Sequence, residues 1–592
     1  MFRPEKDRLD YGTLMAPPEG YRLSRAIGTT YSLELDALLG IPVALSFSQS
    51  VEVSQKRDRI YLVEALRRSM EHIKVYCQKG KIHVPKAQYP LYALLENMIT
   101  QVNMNPYSFH PKVWILRYAH QLNPKDVKYR LIVLSRNITF DRSWDVSMCI
   151  DGKVGTRKLK NNQPLVDFVT FLLQQDDFEG SQVFKNELHK VQFDITGDRK
   201  SIFQTIGYCP MGIPNSAYDY ALLNTDYDNL LIISPFLTDR MVKSLHKRNS
   251  GKSNTYLFSR QEELLKLNPD TLDGINAYHL KELIVDGEEL IDSEDANHKK
   301  QDIHAKVYIG QQNQQTDMYL GSANCSYNAF YGNVEFLVKL SVDSKQFKVN
   351  DVLQELLPED EKKQYFERFI PSNLQDLEED ELKQAKKVLE QKISELCKLF
   401  INGKVIENGE HYNLIVASDD MVLLEEMSIE LYPLTTPGLK RKFQSFLSFE
   451  KLTEQEITRF FVFECRYMEE REKILLKINV SNIPENREKN ILKAIISNKQ
   501  AFLAYMNFLL GDGSVMDFLE AQLDPKETDK SVSRGRNPVI KKDMFEKMLK
   551  AAANEPFKLR TIGDVMEFFE DEEEIVPNDF KRLYKEFSKF AR

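Results

Sequence analysis

Residues 303–324 read Ile-His-Ala-Lys-Val-Tyr-Ile-Gly-Gln-Gln-Asn-Gln-Gln-Thr-Asp-Met-Tyr-Leu-Gly-Ser-Ala-Asn. His304 and Lys306 stand two apart at the head of the apolar run Val307 to Ile309, so on a strand they point to the same face. A second apolar run, Met318 to Leu320, ends at Ser322-Ala-Asn324 and hairpins back to set a hydroxyl and a carboxamide beside the histidine. The same arrangement occurs earlier in the chain. Phe109 and Val113 to Leu116 flank His110-Pro-Lys112, and the run Tyr129 to Leu134 closes on Ser135-Arg-Asn137. Each copy alone is a phosphate cradle with one imidazole. Two copies facing each other supply a nucleophile and a separate proton donor, which is what breaking a phosphodiester requires.

His-x-Lys by itself is a common pattern, and the chain holds two more, His72-Ile-Lys74 and His298-Lys-Lys300. Context separates the pairs. His72 lies in a helix-like stretch and His298 in the polar run Asp-Ser-Glu-Asp-Ala-Asn-His, and neither is coupled to a strand hairpin ending in Ser-x-Asn. His298 is near enough in sequence to Asn324 to stay a minor rival of His304.

The two constellations resemble the paired HxK…N motifs of the phospholipase D superfamily, and Gly321-Ser-Ala-Asn324 is typical of its second motif. The familiar version carries an aspartate five positions after the lysine, where this chain has Arg117 and Gln311. That departure resembles the tyrosyl-DNA phosphodiesterase branch more than the lipases. The run Ser135 to Asp145 is similar to first motifs of bacterial nuclease-like members found beside defence and restriction genes, although Leu134 replaces their usual glycine. The resemblance covers roughly residues 1–345. It implies His110 as the nucleophile that forms a phosphohistidine, and His304 as the general acid that later activates water. It implies Lys112, Lys306, Asn137 and Asn324 as donors to the phosphate oxygens, with no metal or other cofactor. It also implies that Glu335 and Asp145 orient the histidines across the seam, Glu335 with His110 and Asp145 with His304. Asp141 competes with Asp145 for that role. Ser135, Arg136 and Ser322 are candidates for binding substrate, and the two serines read equally well as turn caps.

A chain of 592 residues is too long for one core, so two to four domains are expected. Hydrophobic residues at 42% and charged residues at 28% are those of an ordinary soluble protein. The N-terminal residues hold no apolar leader, and no run approaches the ~18–20 apolar residues that span a bilayer. We therefore expect a cytoplasmic protein with no membrane contact. Six cysteines stand far apart without Cys-x-x-Cys, which supports neither a disulfide scaffold nor a zinc site. Cys325 adjoins the second motif and reads as a small buried residue. The net charge of −8 argues against a protein that coats nucleic acid non-specifically. A local basic groove is still expected from Lys112, Arg117, Arg136, Arg142 and Lys306.

Strand and helix signals alternate through the first half. Val43 to Phe47 reads as a strand, Arg59 to Ile73 as a helix, Trp144 to Ile150 as a strand and Pro164 to Gln175 as a helix. A second pass follows, with a strand over Asn229 to Phe236, a helix over Asp239 to His246, a strand over Thr255 to Phe258 and a helix over Gln261 to Lys266. Val334 to Leu340 is its last strand. Two α/β passes ending in the same motif amount to a diverged internal repeat, so the expected architecture is a fused pseudo-dimer with its site at the seam. We place the first repeat at 1–200 and the second at 201–345. A mixed α/β accessory domain follows at 346–523, then a linker at 524–538 and a helical segment at 539–592. Within the accessory domain, Asp380 to Ile401 predicts a helix with Leu382, Ala385, Leu389, Ile393, Leu396 and Phe400 on one stripe. Strands are expected at Tyr412 to Ala417 and Ile457 to Cys465. The acidic run Glu570 to Glu574 reads as a solvated face.

Three function classes follow. The first is a metal-independent nuclease acting on DNA, with an antiphage or restriction role beside an ATPase or helicase partner and possible oligomerisation. The second is a lipid phosphodiesterase or phosphatidyl transferase, disfavoured by the absent aspartates. The third is a nucleic-acid-binding or assembly module with an inactive cradle.

Overall fold

In the computed structural model, residues 14–46, 70–86, 90–139, 144–194, 202–214, 221–247, 254–281, 303–360, 364–370, 381–418, 426–488 and 576–587 are described, with residues 491, 503, 506, 544, 545, 548, 549, 552, 559 and 562 between the last two stretches. The first sheet takes seven strands: β1 (Tyr21–Thr30), β2 (Ile73–Gln78), β3 (Ile99–Val102), β4 (Val113–His120), β5 (Val127–Leu134), β6 (Ser147–Val154) and β7 (Val191–Phe193), in the order β3-β2-β1-β4-β5-β6-β7. The second takes eight: β8 (Thr205–Met211), β9 (Asn229–Ile233), β10 (Asn254–Ser259), β11 (Ile275–Leu280), β12 (Val307–Gln312), β13 (Gln315–Gly321), β14 (Glu335–Asp343) and β15 (Phe366–Arg368), in the order β15-β11-β10-β9-β12-β13-β14-β8.

The two orders are the same six-strand core written twice. In each, three parallel strands (β1, β2, β3; β9, β10, β11) meet an antiparallel hairpin and its neighbour (β4, β5, β6; β12, β13, β14). The α/β class and the duplication are thus direct properties of the pairing. The second sheet also draws in β15, from beyond residue 345.

Alternation along the central strands decides how the sheets stack. On β4, Val113 and Ile115 point one way while Trp114, Leu116 and Tyr118 point the other; on β12, Val307 and Ile309 are opposed by Tyr308. The Val113, Ile115, Val307 and Ile309 faces share a single core, in which Phe168 of the helix Gln163–Gln175 packs its ring 4.9 Å from Phe336 of β14. Burying rings of that size contributes about 1.5–3 kcal/mol each, so the seam between the repeats is a true interior.

Several sequence expectations give way here. Val43 to Ser46 is not strand but the end of a helix, Leu35–Ser46, and the strand that precedes it is β1. A short apolar run does not distinguish a buried strand from a buried helix face, and here the run continues twelve residues with Leu35, Leu38 and Leu39 buried. Of the helix expected over Arg59 to Ile73, only the end from Met70 lies within the described residues, and Ile73 already opens β2. The strand expected from Trp144 starts three residues later, at Ser147.

After the second sheet, a helix (Glu381–Leu396) leads into two four-stranded sheets, β16 (Ile401–Asn408) to β23 (Asn479–Ser481). The helix stops at Leu396 and Ile401 starts β16. Leu389, Ile393 and Leu396 are therefore buried as expected, while Phe400, beyond the helix, faces solvent. The expected linker at 524–538 lies outside the described residues; of the last segment, the helix Asn578–Phe587 is described.

This unit docks on the first repeat through a buried ion cluster. Glu96, fully buried, accepts hydrogen bonds from Thr458 Oγ1 at 2.8 Å, from the Arg459 backbone N–H at 2.7 Å and from Arg487 Nη2 at 2.9 Å. Arg487 is itself only 1% exposed. Removing one partner of such a pair strands the other charge in the interior, so Glu96→Ala is expected to lower unfolding free energy by about 3–5 kcal/mol. Urea denaturation of the full chain checks this, and Arg487→Met in the Glu96→Ala background should recover part of the loss.

Candidate active site

Each His-x-Lys pair immediately precedes the first strand of its hairpin, β4 or β12, in the middle of its sheet, and the backbone crosses between repeats there. His110 N–H donates to Val334 O at 2.8 Å and Val334 N–H donates to Ser108 O at 2.9 Å. The opposite crossing mirrors it: His304 N–H donates to Trp144 O at 2.9 Å, and Ala305 N–H to the same oxygen at 3.0 Å. Parallel bridges join Phe109 to Val334 and Trp144 to Ile303. Glu335 directly follows Val334 and Asp145 directly follows Trp144, so each acid is carried to the other repeat's motif.

Glu335 completes the crossing. Its buried Oε2 lies 2.9 Å from His110 Nδ1, and a carboxylate there fixes the proton on Nδ1. His110 Nε2 then keeps its lone pair, and Lys112 Nζ lies 3.0 Å from it as a donor. Asp145 follows the second crossing in the chain as Glu335 follows the first, and its Oδ1 accepts from Ser135 Oγ at 3.2 Å.

The two serines play matching parts. Ser322 Oγ donates to Glu335 Oε2 and accepts the Phe336 N–H at 2.9 Å, while Ser135 Oγ donates to Asp145 and accepts the Val146 N–H at 2.8 Å. Both are fully buried. Arg136 donates from Nη2 to Thr139 O at 2.8 Å and holds its Nε 3.8 Å from Asp145 Oδ2. Asn137 and Asn324 are half-buried on equivalent turns. The residue after each is anchored alike, Ile138 N–H donating to Thr30 Oγ1 at 3.0 Å and Cys325 N–H to Ser234 Oγ at 2.8 Å. Gly321 has φ +150°, and a Cβ there would sit 2.2 Å from Phe336 O, so the second turn needs its glycine. The first turn accommodates a buried Leu134.

The electrostatics tie the two motifs together. Burial first, then Lys306, holds the Lys112 ammonium well below the usual lysine range, against the pull of Glu335 and Asp145. Burial also leads in lowering the His110 imidazole, Glu335 opposes it, and Lys112 and Lys306 reinforce it. Two lysines, two carboxylates and an imidazole thus share one field. The thiol of Cys325 is pushed up to about 12 by burial, in keeping with a small core residue.

Some sequence candidates fall elsewhere. Arg117 grips Glu187 through Nε at 2.7 Å and Nη2 at 2.9 Å on the helix Ser181–Leu188, so it contributes to the core and not to the groove. Lys74, of the rejected His72 pair, is bound to Asp176 at 2.6 Å. Asp141, Arg142 and His298 lie outside the described residues. Other contributors come from strands remote in sequence. Tyr31, just past β1, presents its ring edge to His110 at 5.0 Å between centroids. Gln78 Oε1 accepts the Phe109 N–H at 2.7 Å, and in the second repeat Arg260 Nη2 donates to Ile303 O at 3.2 Å. Asn333 reaches Glu335 Oε1 at 3.4 Å.

No protein-family model and no curated protein matches the chain. Among solved structures it is similar to polyphosphate kinase from Porphyromonas gingivalis, at 11% identity and a TM-score of 0.32, over 65% of this chain and 53% of that one. It is also similar to phosphatidylserine synthase from Haemophilus influenzae Rd KW20, at 11% identity and a TM-score of 0.34, over 65% of this chain and 91% of that one. The chain spans about half the length of the kinase. Scores this low assign no activity, and the architecture rests on the duplicated sheets themselves.

Proposed function

We propose that this chain is a phosphodiesterase of the phospholipase D superfamily, and that it cleaves nucleic acid, DNA foremost, through a phosphohistidine on His110. The observation that carries this reading is the crossing that pairs Glu335 with His110 across the seam. It leaves Nε2 unprotonated, its electron pair facing Lys112 Nζ at 3.0 Å until a phosphate draws the ammonium away.

The scissile phosphorus enters between the motifs. His110 Nε2 attacks it, a P–N bond forms, and the P–O bond to the leaving group breaks. His304 gives its proton to the departing oxygen. Water then attacks the same phosphorus while His304 takes its proton. The P–N bond breaks and its electron pair returns to His110. Lys112, Lys306, Asn137 and Asn324 donate to the equatorial oxygens, where charge builds up. A phosphate anion also relieves the repulsion between the two ammonium groups. Ser135 and Ser322 act through the acids they bind, and Arg136 acts beside Asp145.

The test is cleavage of labelled single- and double-stranded DNA in excess EDTA. Activity is expected to persist in EDTA, and its disappearance there in the unsubstituted protein would overturn the mechanism. Hydrolysis of phosphatidylcholine vesicles without cleavage of DNA would overturn the substrate class. The setting we propose is an antiphage or restriction system with an ATPase or helicase partner, tested by co-purification from cells expressing the neighbouring genes.

A further inference from the structure

Two exposed aromatic rings and a half-buried third form a row that starts three residues before His110 and runs along the second repeat. Tyr107, three residues before His110, is 45% exposed, and Tyr331, four before Glu335, is 53% exposed. The Tyr107 ring rests on the bare backbone of Gly332, where a Cβ would come within 2.2 Å of it. Tyr331 stacks on Tyr327 at 4.7 Å between centroids with planes 28° apart, one helical turn back. The Arg240 guanidinium covers Tyr327 at 3.7 Å from the ring centre. The row is anchored to the site, since Ser108 N–H donates to Asn333 Oδ1 at 3.1 Å and Asn333 in turn contacts Glu335.

We propose that Tyr107 and Tyr331, the latter backed by Tyr327 and Arg240, form a stacking track for the unpaired bases of a single-stranded nucleic acid whose scissile phosphate lies between the two motifs. This rests on the reading of the site as a nucleic-acid phosphodiesterase and names its substrate form. Exposed rings ending in a guanidinium are what splayed bases bind, because every base offers a π-face and the cation meets the backbone. A duplex keeps those faces inside its own stack, so it gains nothing from the row.

The test uses the full chain carrying His110→Asn to halt cleavage, with binding read by fluorescence anisotropy. Tyr331→Ala and Tyr107→Ala are each expected to weaken a 5′-labelled oligothymidylate about tenfold, the scale of one lost base stack. Tyr331→Phe should retain binding. Affinity for an abasic strand of equal length, and for duplex DNA, should not change. Equal loss on the abasic strand, no loss on oligothymidylate, or loss of binding to phosphatidylcholine vesicles in place of oligothymidylate would overturn the track. Two further outcomes separate the track from the reaction. If the unsubstituted protein hydrolyses bis(p-nitrophenyl) phosphate but binds no oligonucleotide, the track fails and the phosphodiesterase stands. If Tyr331→Ala selectively weakens oligothymidylate while no diester is hydrolysed, the track stands and the catalytic reading fails.

Discussion

His110→Ala is expected to lower diester turnover by about 10⁴- to 10⁶-fold, because a lost nucleophile disables the whole unit rather than one contact. His304→Ala is expected to cost about 10²- to 10⁴-fold, the worth of a positioned acid and base. The leaving group separates the two roles. A p-nitrophenyl ester departs without a proton, so its first step should be nearly normal in His304→Ala while the water step stalls. An alkali-stable, acid-labile phosphoryl label should then accumulate on the protein. No label should form with His110→Ala. A label that survives His110→Ala, or a His304→Ala loss equal for good and poor leaving groups, would reverse or remove these assignments.

The histidines, lysines and asparagines were legible in sequence because each lies on a short local pattern: a strand, a hairpin and a turn within about thirty residues. Val113–His120 with Val127–Leu134, and Val307–Gln312 with Gln315–Gly321, are those hairpins. The duplication was legible from the same pattern repeated. What local pattern does not carry is the supporting shell. Tyr31 follows β1 and Gln78 ends β2, both far from the motif in sequence, and they reach His110 and Phe109 only because β1 pairs with β4 and β2 lies next to β1 in the sheet. Arg117 shows the converse. It is near Lys112 in sequence, yet the strand carries it away from the site to Glu187, whose helix follows β6.

The serines show why the crossing matters more than proximity. Read along the chain, Ser135 and Ser322 are candidates to touch substrate or to cap a turn. In three dimensions each hydroxyl joins its own turn to the acid that follows a crossing between the repeats, donating to the carboxylate and accepting from the next backbone N–H, and Glu335 is seen to meet the other repeat's His110. His110 and its carboxylate partner thus come from different repeats. The seam core that locks the sheets together also sets the spacing between His110 and Glu335, so the proposed reaction depends on inter-repeat packing. The accessory unit packs against the loop that leads to His110, since Asn103 Nδ2 donates to Cys397 O at 3.3 Å and Asn105 Nδ2 to Ser394 O at 3.4 Å.

Glu335→Gln tests that coupling through pH as well as rate. The amide still accepts from Nδ1 but no longer carries charge, and it can equally donate, which presents the wrong tautomer; kcat/KM is expected to fall about 10²- to 10⁴-fold. The sign of the pH effect follows from the causes acting on His110. Burial lowers its pKa, and Glu335 is the group that raises it. The unsubstituted enzyme should therefore keep its acid limb below the 6.5 of an ordinary imidazole. Removing the carboxylate lowers the pKa further, so the limb should move to still lower pH even as the rate falls. Ser322→Ala, which frees the carboxylate from its hydroxyl donor, should reduce the rate less. A limb that rises or stays fixed in Glu335→Gln, with thermal unfolding unchanged, would show that Glu335 does not hold the reacting ring and would return it to a structural role in β14.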